Sequence, residues 1–361
     1  MRYRLLGRTG LRVSELCLGA MTFGRTESGA PADECARLVE TFAEAGGNFI
    51  DTANYYADGE SERIVGRLIA AQREQWVLST KYALSMRPHD PNAGGTHRKS
   101  LVQALEGSLR RLRTDYIDLY WVHIWDDFTP VEEVVRALDD VVSAGKALYV
   151  GVSDTPAWIV AEAVTLADLR GWTRFVGLHV PYSLVERSVE RELLPMALAL
   201  ELTVTAWSPL GGGVLTGRYG NDRGRPADTR IAAFGEKDLG ERKLAVADAV
   251  NGVAAERGVS SAQVAIAWLR AQQDRGVIVP IIGARRREQL EDNLAALKVE
   301  LSDEELARLD DASRIELGFP HDFGARKLAY GDAKPPIDNH RRTAFPAGDD
   351  NHSDRSPRRQ R

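Results

Sequence analysis

The chain is short of the residues that would build a disulfide framework or a metal centre. Its 361 residues hold two cysteines, Cys17 and Cys35, and seven histidines. None of them falls in a CxxC pair or at the spacing of a Cys/His ligand set, so neither a disulfide scaffold nor a metal is expected. No apolar stretch approaches the ~20 residues needed to cross a bilayer, and the opening MRYRLLGRTG lacks the apolar core of a secretory signal. These absences fit a reducing cytoplasm and no membrane residence. Charge of one sign is also scarce. A formal net charge of -5 gives no global pull toward nucleic acid or an anionic membrane, so any anion site has to be local. A glycine fingerprint of the GxGxxG type is missing from the first strand-to-helix turn, GAMTFG, which argues against a doubly wound dinucleotide fold.

What the chain does have is 43% hydrophobic residues, enough for a sizeable core. They fall in short runs separated by helical segments: ELCLGAM, GNFIDT, WVLSTKY, YIDLYWVH, ALYVGVS, FVGLHV, LTVTAWS and VIVPIIG. Continuous β-branched and aromatic runs of this kind are strands buried on both faces. There are eight, with crossovers long enough to carry a helix, which predicts an α/β fold of the (β/α)8 barrel type. Asp33 is expected to cap the helix ECARLVETFAEAG, which stops at Gly46 and Gly47. Thr129 and Pro130 open VEEVVRALDDVVSAG, which stops at Gly145. The stretch YRLLGRTGLRVS predicts an N-terminal hairpin turning at Gly7 to Gly10, laid across the barrel bottom.

Between Leu210 and Gly240 the sequence turns Gly-rich and charged, the signature of a long irregular loop. Two helices, ERKLAVADAVNGVAAERG and SAQVAIAWLRAQ, are expected before the last strand. Residues 1–330 are expected to form the barrel. Residues 331–361, nearly devoid of apolar residues, are expected to form a polar, disordered tail.

Four polar residues sit at or just beyond the ends of the early strand runs: Asp51 and Tyr56 in DTANYYADGESE, Lys81 in LSTKY and His123 in YWVH. In a parallel barrel the C-terminal strand ends share one mouth. An acid, a phenol, an ammonium and an imidazole brought together there are equipment for proton transfer. A tyrosine ordinarily titrates near 10, and a neighbouring ammonium favours its phenolate. Taken singly, Asp51 reads as a helix cap, Lys81 as a surface lysine and His123 as a core histidine. The residues alone do not decide whether Tyr55 or Tyr56 turns inward.

Seven ordered segments, from GRTGLRVSELCLGAMTFG through DTANYYADGESE, IDLYWVH, GKALYVGVS, PYSLVERSVERELLP and WSPLGGGVLTGRY to PIIGARRREQLEDN, make the chain similar to the aldo-keto reductases, in a branch resembling the potassium-channel β subunits. The resemblance implies a (β/α)8 oxidoreductase that uses NADPH to reduce an aldehyde or ketone. It makes Tyr56 the general acid, with Asp51 and Lys81 tuning it and His123 orienting the carbonyl. It also assigns Ser153, Asp154 and His179 to the nicotinamide carboxamide, where the family usually carries Asn and Gln at the latter two positions. Trp207 would stack on the ring, and Ser208, Leu210 and Gly212 would cover the pyrophosphate. Gly283, Arg285, Arg286, Gln289 and Asn293 would hold the adenosine phosphate, since an arginine run opening a helix suits an anion. Trp121, Trp125, Asp126 and Phe128, near His123, are expected to line the substrate pocket. A small-molecule carbonyl is the expected partner, with no nucleic acid, membrane or metal. The other readings are a slow-turnover, partner-binding redox sensor on the same barrel, and a cofactor-free aldolase or lyase using Lys81. The substrate and the oligomeric state are not legible.

Overall fold

The structure, a computed structural model, describes residues 1–25, 29–219 and 239–324. Most of the Leu210–Gly240 loop and the whole 331–361 tail lie outside the described residues.

All eight expected runs are strands. Two short strands, β1 (Tyr3–Leu5) and β2 (Arg12–Ser14), form an antiparallel hairpin. The next eight are β3 (Cys17–Gly19), β4 (Phe49–Asp51), β5 (Val77–Tyr82), β6 (Ile117–Val122), β7 (Ala147–Ser153), β8 (Phe175–Pro181), β9 (Thr203–Trp207) and β10 (Ile278–Ile282). They close into a parallel barrel in which β10 pairs with β3. The hairpin seals the bottom: the Gly7 amide donates to Thr203 Oγ1 at 2.7 Å, at the start of β9. Leu6 and Val13 from the hairpin join Cys17, Phe49, Val77, Leu119, Trp121 and Val176 in the apolar plug inside the barrel.

The outer ring comprises α1 (Ala32–Glu44), α2 (Glu60–Ile69), α3 (Arg98–Leu112), α4 (Val131–Ser143), α5 (Ala157–Arg170), α6 (Leu193–Ala199), α7 (Glu241–Arg257), α8 (Ser261–Ala271), α9 (Arg287–Ala295) and α10 (Asp303–Ser313). Both helices expected before the last strand are present. One capping expectation fails. Pro31 is the N-cap of α1, while Asp33 lies inside the first turn and pairs with Arg37 at 3.5 Å. A proline at the boundary already has the extended backbone a helix entry needs, so Asp33 answers the helix dipole instead.

The floor of the mouth is Trp121, fully buried on β6. Its indole crosses the barrel into space left by two glycines. A Cβ at Gly151 would lie 2.2 Å from the Trp121 ring, and one at Gly177 2.8 Å from it. Neither position tolerates a side chain without moving the floor.

Candidate active site

Strand alternation builds the site's first half. In β5 residues two apart face the same way, so Ser79 and Lys81 point inward while Thr80, between them, faces α2. Ser79 Oγ donates to Asp51 Oδ1 at 2.6 Å, and Lys81 Nζ donates to Asp51 Oδ2 at 2.5 Å and to the Thr52 carbonyl at 2.8 Å. The ammonium is fully buried. Its third contact is the Tyr56 hydroxyl at 3.3 Å. The order Asp51, Lys81, Tyr56 therefore runs from the buried end of the site toward the opening. Burial raises the Asp51 carboxyl above its usual range, against the pull of Lys81. Lys81 is held above its own, because the charges of Asp51 and Tyr56 outweigh its desolvation.

Tyr56 opens a single helical turn, Tyr56–Gly59, whose next two residues are in the left-handed region, Ala57 at φ 49° and Asp58 at φ 53°. Non-glycine residues enter this region at a cost of about 1–2 kcal/mol each. The turn resolves the tyrosine ambiguity: Tyr56 faces Lys81, while Tyr55 is 49% exposed. His123, just past β6, meets the Tyr56 ring edge-on with centroids 5.8 Å apart. Burial, and then the Lys81 charge, push its imidazole down to about 3, so it is neutral at physiological pH, with Nδ1 buried and unpartnered.

The second half lies across the mouth. Ser153 ends β7, fully buried. Asp154 follows in the left-handed region at φ 46° and accepts from the Trp207 indole at 3.3 Å. Burial raises its carboxyl, while the indole and the Ser153 hydroxyl oppose that rise. His179, on β8, is buried and pushed well below the usual imidazole range by desolvation, then by Lys81 and His123. Its Nδ1 lies 2.9 Å from Thr205 Oγ1, whose own proton goes to the Leu178 carbonyl at 3.4 Å. With the Thr205 proton on that carbonyl, Nδ1 is the protonated nitrogen and Nε2 a bare acceptor. Ala83, Asp154 and Ser208, which follow β5, β7 and β9, all have positive φ. Strain of this kind gathers at functional sites.

Farther round the rim, Ser208, Leu210 and Gly212 lie in the tight segment after β9, where Gly211, Gly212 and Gly213 all have positive φ. Gly283, Arg285 and Arg286 lead from β10 into α9. The backbone amides there are partly engaged within the protein. The Arg285 amide donates to Gln289 Oε1 at 2.9 Å and the Arg287 amide to Glu34 Oε1 at 2.5 Å. Two of the amides are already capped from within the protein, so the Arg285 and Arg286 guanidiniums carry the anion-binding potential. Asn293, which donates to the Gly283 carbonyl at 3.4 Å, fixes the start of the segment. A Cβ at Gly283 would meet the Gly19 carbonyl oxygen at 3.8 Å, an ordinary contact.

The family model of the aldo/keto reductase family matches residues 15–314. The chain belongs to the aldo/keto reductase family. Among its relatives, a norsolorinic acid reductase of Emericella nidulans is 40% identical, with 87% of this chain and 82% of that protein covered. An aldo-keto reductase of Aspergillus calidoustus is 35% identical over 93% of this chain and 88% of its own. An aryl-alcohol dehydrogenase of Pestalotiopsis microspora is 36% identical, covering 89% and 85%. Membership makes this chain an oxidoreductase on a (β/α)8 barrel. No described helix is long and apolar enough to cross a membrane, and no described cluster of His, Cys, Asp and Glu is placed to hold a metal ion.

Of the expected pocket residues, Phe128 projects 95% exposed from the rim, and Trp125 packs half-buried against the outer hydrophobic layer. Asp126 was expected beside them, but its role in organising that rim was missed. Asp126 accepts from the Thr96 amide at 2.5 Å, the Thr96 hydroxyl at 2.7 Å and the Thr129 and Phe128 amides at 2.8 and 2.9 Å. These bonds tie the loop after β5 to the loop after β6. They hold the Asp126 carboxyl down to about 2, against the effect of its burial. Its sequence signal was the Asp-x-Phe-Thr spacing of an Asx turn. Ser79 was missed too, although alternation with Lys81 places it on the same face.

Proposed function

We propose that the protein reduces an aldehyde or ketone to an alcohol with NADPH, reversibly, and that Tyr56 is the general acid. The observation that carries this is the buried chain Asp51, Lys81, Tyr56, which ends at the mouth opposite a neutral His123. When bound, NADPH supplies the hydride to the carbonyl carbon. The rest of the work falls to side chains. His123, uncharged, donates a hydrogen bond that orients the carbonyl oxygen toward Tyr56. The Tyr56 hydroxyl gives its proton to that oxygen as negative charge develops on it. The phenolate left behind faces the Lys81 ammonium, and Asp51 keeps that ammonium charged and aimed. Trp121 closes the floor against water.

Residues present on the opposite rim fit the cofactor. Arg285 and Arg286 suit a phosphate, with Gly283, Gln289 and Asn293 shaping the segment around it. Trp207 offers an aromatic face, with Ser208, Leu210 and Gly212 beside it. At the carboxamide end, Asp154 and His179 Nε2 are both acceptors, matching the two hydrogens of an amide NH2, while Ser153 supplies a hydroxyl. The names of the relatives favour turnover over sensing and suggest an aryl carbonyl.

The test is consumption of NADPH by the purified protein with an aryl aldehyde, with one alcohol formed per cofactor oxidised. No alcohol formation at saturating NADPH overturns the proposal. For the cofactor choice, Arg285→Ala with Arg286→Ala is expected to weaken NADPH by about tenfold or more, as loss of charge-assisted hydrogen bonds does, and to leave NADH nearly unchanged. Equal weakening of both would place the phosphate site elsewhere.

A further inference from the structure

Away from the mouth, on the outer face of the barrel, α2 and the end of α3 flank an open cavity of about 390 Å³ lined by Arg63, Arg67, Gly107, Arg110, Arg111 and Arg113. Five guanidiniums around one concavity, in a protein whose formal net charge is -5, repel one another unless something answers them. The protein answers them only in part. Arg63 and Arg67 share the single carboxylate of Glu60, at 3.4 and 3.7 Å. Arg111 Nε donates to Glu62 at 2.6 Å. Among the described residues, no carboxylate lies within ion-pair distance of Arg110 or Arg113, both of which are exposed.

Arg111 is built into this wall. Glu62 is fully buried, and its second oxygen accepts from Thr80 Oγ1 at 2.6 Å. The carboxylate therefore fixes the guanidinium through Nε, Nη2 donates to Ser108 Oγ at 3.3 Å, and Nη1 lies on the Gly107 side of the cavity wall. Gly107 makes the room. A Cβ there would come 3.0 Å from Arg111 Nη1. A glycine inside a helix costs about 1 kcal/mol relative to alanine, and the tight approach of the arginine accounts for its use.

We propose that this cavity is a second anion site, which takes a small multiply charged phosphorylated molecule of the pyrophosphate class. Guanidinium forks match phosphate oxygens two at a time, and Arg111, already held by Glu62, loses little freedom on binding. The cavity's volume suits a small ligand. The site stands apart from the cofactor rim and does not rest on the reductase reading. Glu62 links it to the active site, because Thr80 precedes Lys81 and α2 begins at the end of the Tyr56 turn.

Inorganic pyrophosphate is the probe, titrated calorimetrically into the full chain at low salt. Arg110→Gln with Arg113→Asn removes two guanidiniums and leaves Arg111 and Glu62 paired. Asparagine suits position 113, which sits at φ 55°. The double variant is expected to lose one binding event, or to weaken it at least tenfold, with NADPH affinity and thermal midpoint unchanged. Gly107→Leu, which fills the cavity from the other side, is expected to block the same event. Pyrophosphate binding that survives both changes, or that disappears only in the Arg285→Ala, Arg286→Ala variant, overturns the proposal. Tight binding of single-stranded RNA to these arginines in place of pyrophosphate overturns the ligand class.

Discussion

Two tyrosines in this barrel touch buried charge, and the sign of that charge separates them. Tyr182, after β8, donates to Glu190 Oε1 at 2.7 Å. Arg187 holds the same carboxylate with Nε at 2.7 Å and its fork at 3.1 Å, and also reaches Asp310 and Ser313 on α10 at 3.0 and 2.7 Å. Burial and the Glu190 charge raise the Tyr182 hydroxyl well above its ordinary range, so its proton is locked. Every strong donor and acceptor in that network has a partner, and the network ties α10 to the barrel. Tyr56 instead meets an ammonium, on a strained turn at the mouth. Losing its proton would leave an anion that Lys81 is already placed to receive. A closed, satisfied network holds the fold, and an open one, ending in a proton that faces an ammonium, is the one the proposed chemistry uses.

The widest separation between the two tyrosines is expected from removing each hydroxyl. Tyr56→Phe should cut kcat by roughly 10²- to 10⁴-fold, the usual range for lost general-acid help, with little change in thermal midpoint. Tyr182→Phe should leave kcat within a factor of a few and destabilise the fold by about 1–3 kcal/mol, because buried Glu190 loses a donor. If Tyr56→Phe kept wild-type turnover, the contrast would collapse and the acid would have to be sought elsewhere. The next effect comes from the cations. Lys81→Met strands the buried Asp51 carboxylate, a loss of about 3–5 kcal/mol, whereas Arg187→Met leaves Glu190 with Arg275 at 3.2 Å and should cost less. In variants that stay folded, only Lys81→Met should abolish reduction.

This contrast also marks how far the sequence could be read. Eight strand runs, their order and the hairpin were legible because burial on both faces writes unbroken apolar runs. The sheet period then placed Asp51, Lys81 and His123 at one mouth. The choice of Tyr56 over Tyr55 depends on two left-handed residues in a four-residue turn, which no periodicity records. Glu62 and Asp126 were illegible as hubs because Thr80 and Thr96, which bind them, lie 18 and 30 residues away on other elements. The capped Arg287 amide was illegible for the same reason: Glu34 arrives from the opposite end of the chain.

A pH experiment sharpens the comparison through the histidines. In the folded state His123 is lowered to about 3 and His179 is pushed well below 6.5, while both are ordinary in the unfolded chain, near 6.5. As pH falls below about 6.5 the unfolded chain takes up protons that the folded one refuses, so stability drops with acid. The slope is up to about 1.4 kcal/mol per pH unit for each ring until its folded value is reached. Denaturant melts between pH 7 and 4 should show this fall, and His179→Gln should flatten it. An unchanged slope in that variant would mean that His179 is protonated in the fold, which removes it as an acceptor.

The smallest expected effect lies at Asp154, where the chain departs from the asparagine its family usually carries. The Asp154 carboxylate accepts from the Trp207 indole and so holds the aromatic face in place, but when ionised it offers no hydrogen to a ligand carbonyl. Asp154→Asn keeps the acceptor for the indole, keeps a side chain tolerated at positive φ, and adds an NH2 donor toward the carboxamide oxygen. One added hydrogen bond of about 1 kcal/mol predicts NADPH binding tighter by roughly fivefold, with kcat nearly constant because Tyr56 and Lys81 are untouched. Asp154→Ala, which releases the indole, should weaken binding instead. Fluorescence titration of cofactor onto the two variants reads the difference. Weakening by both changes would show that the negative charge at Asp154 is itself part of the nicotinamide site.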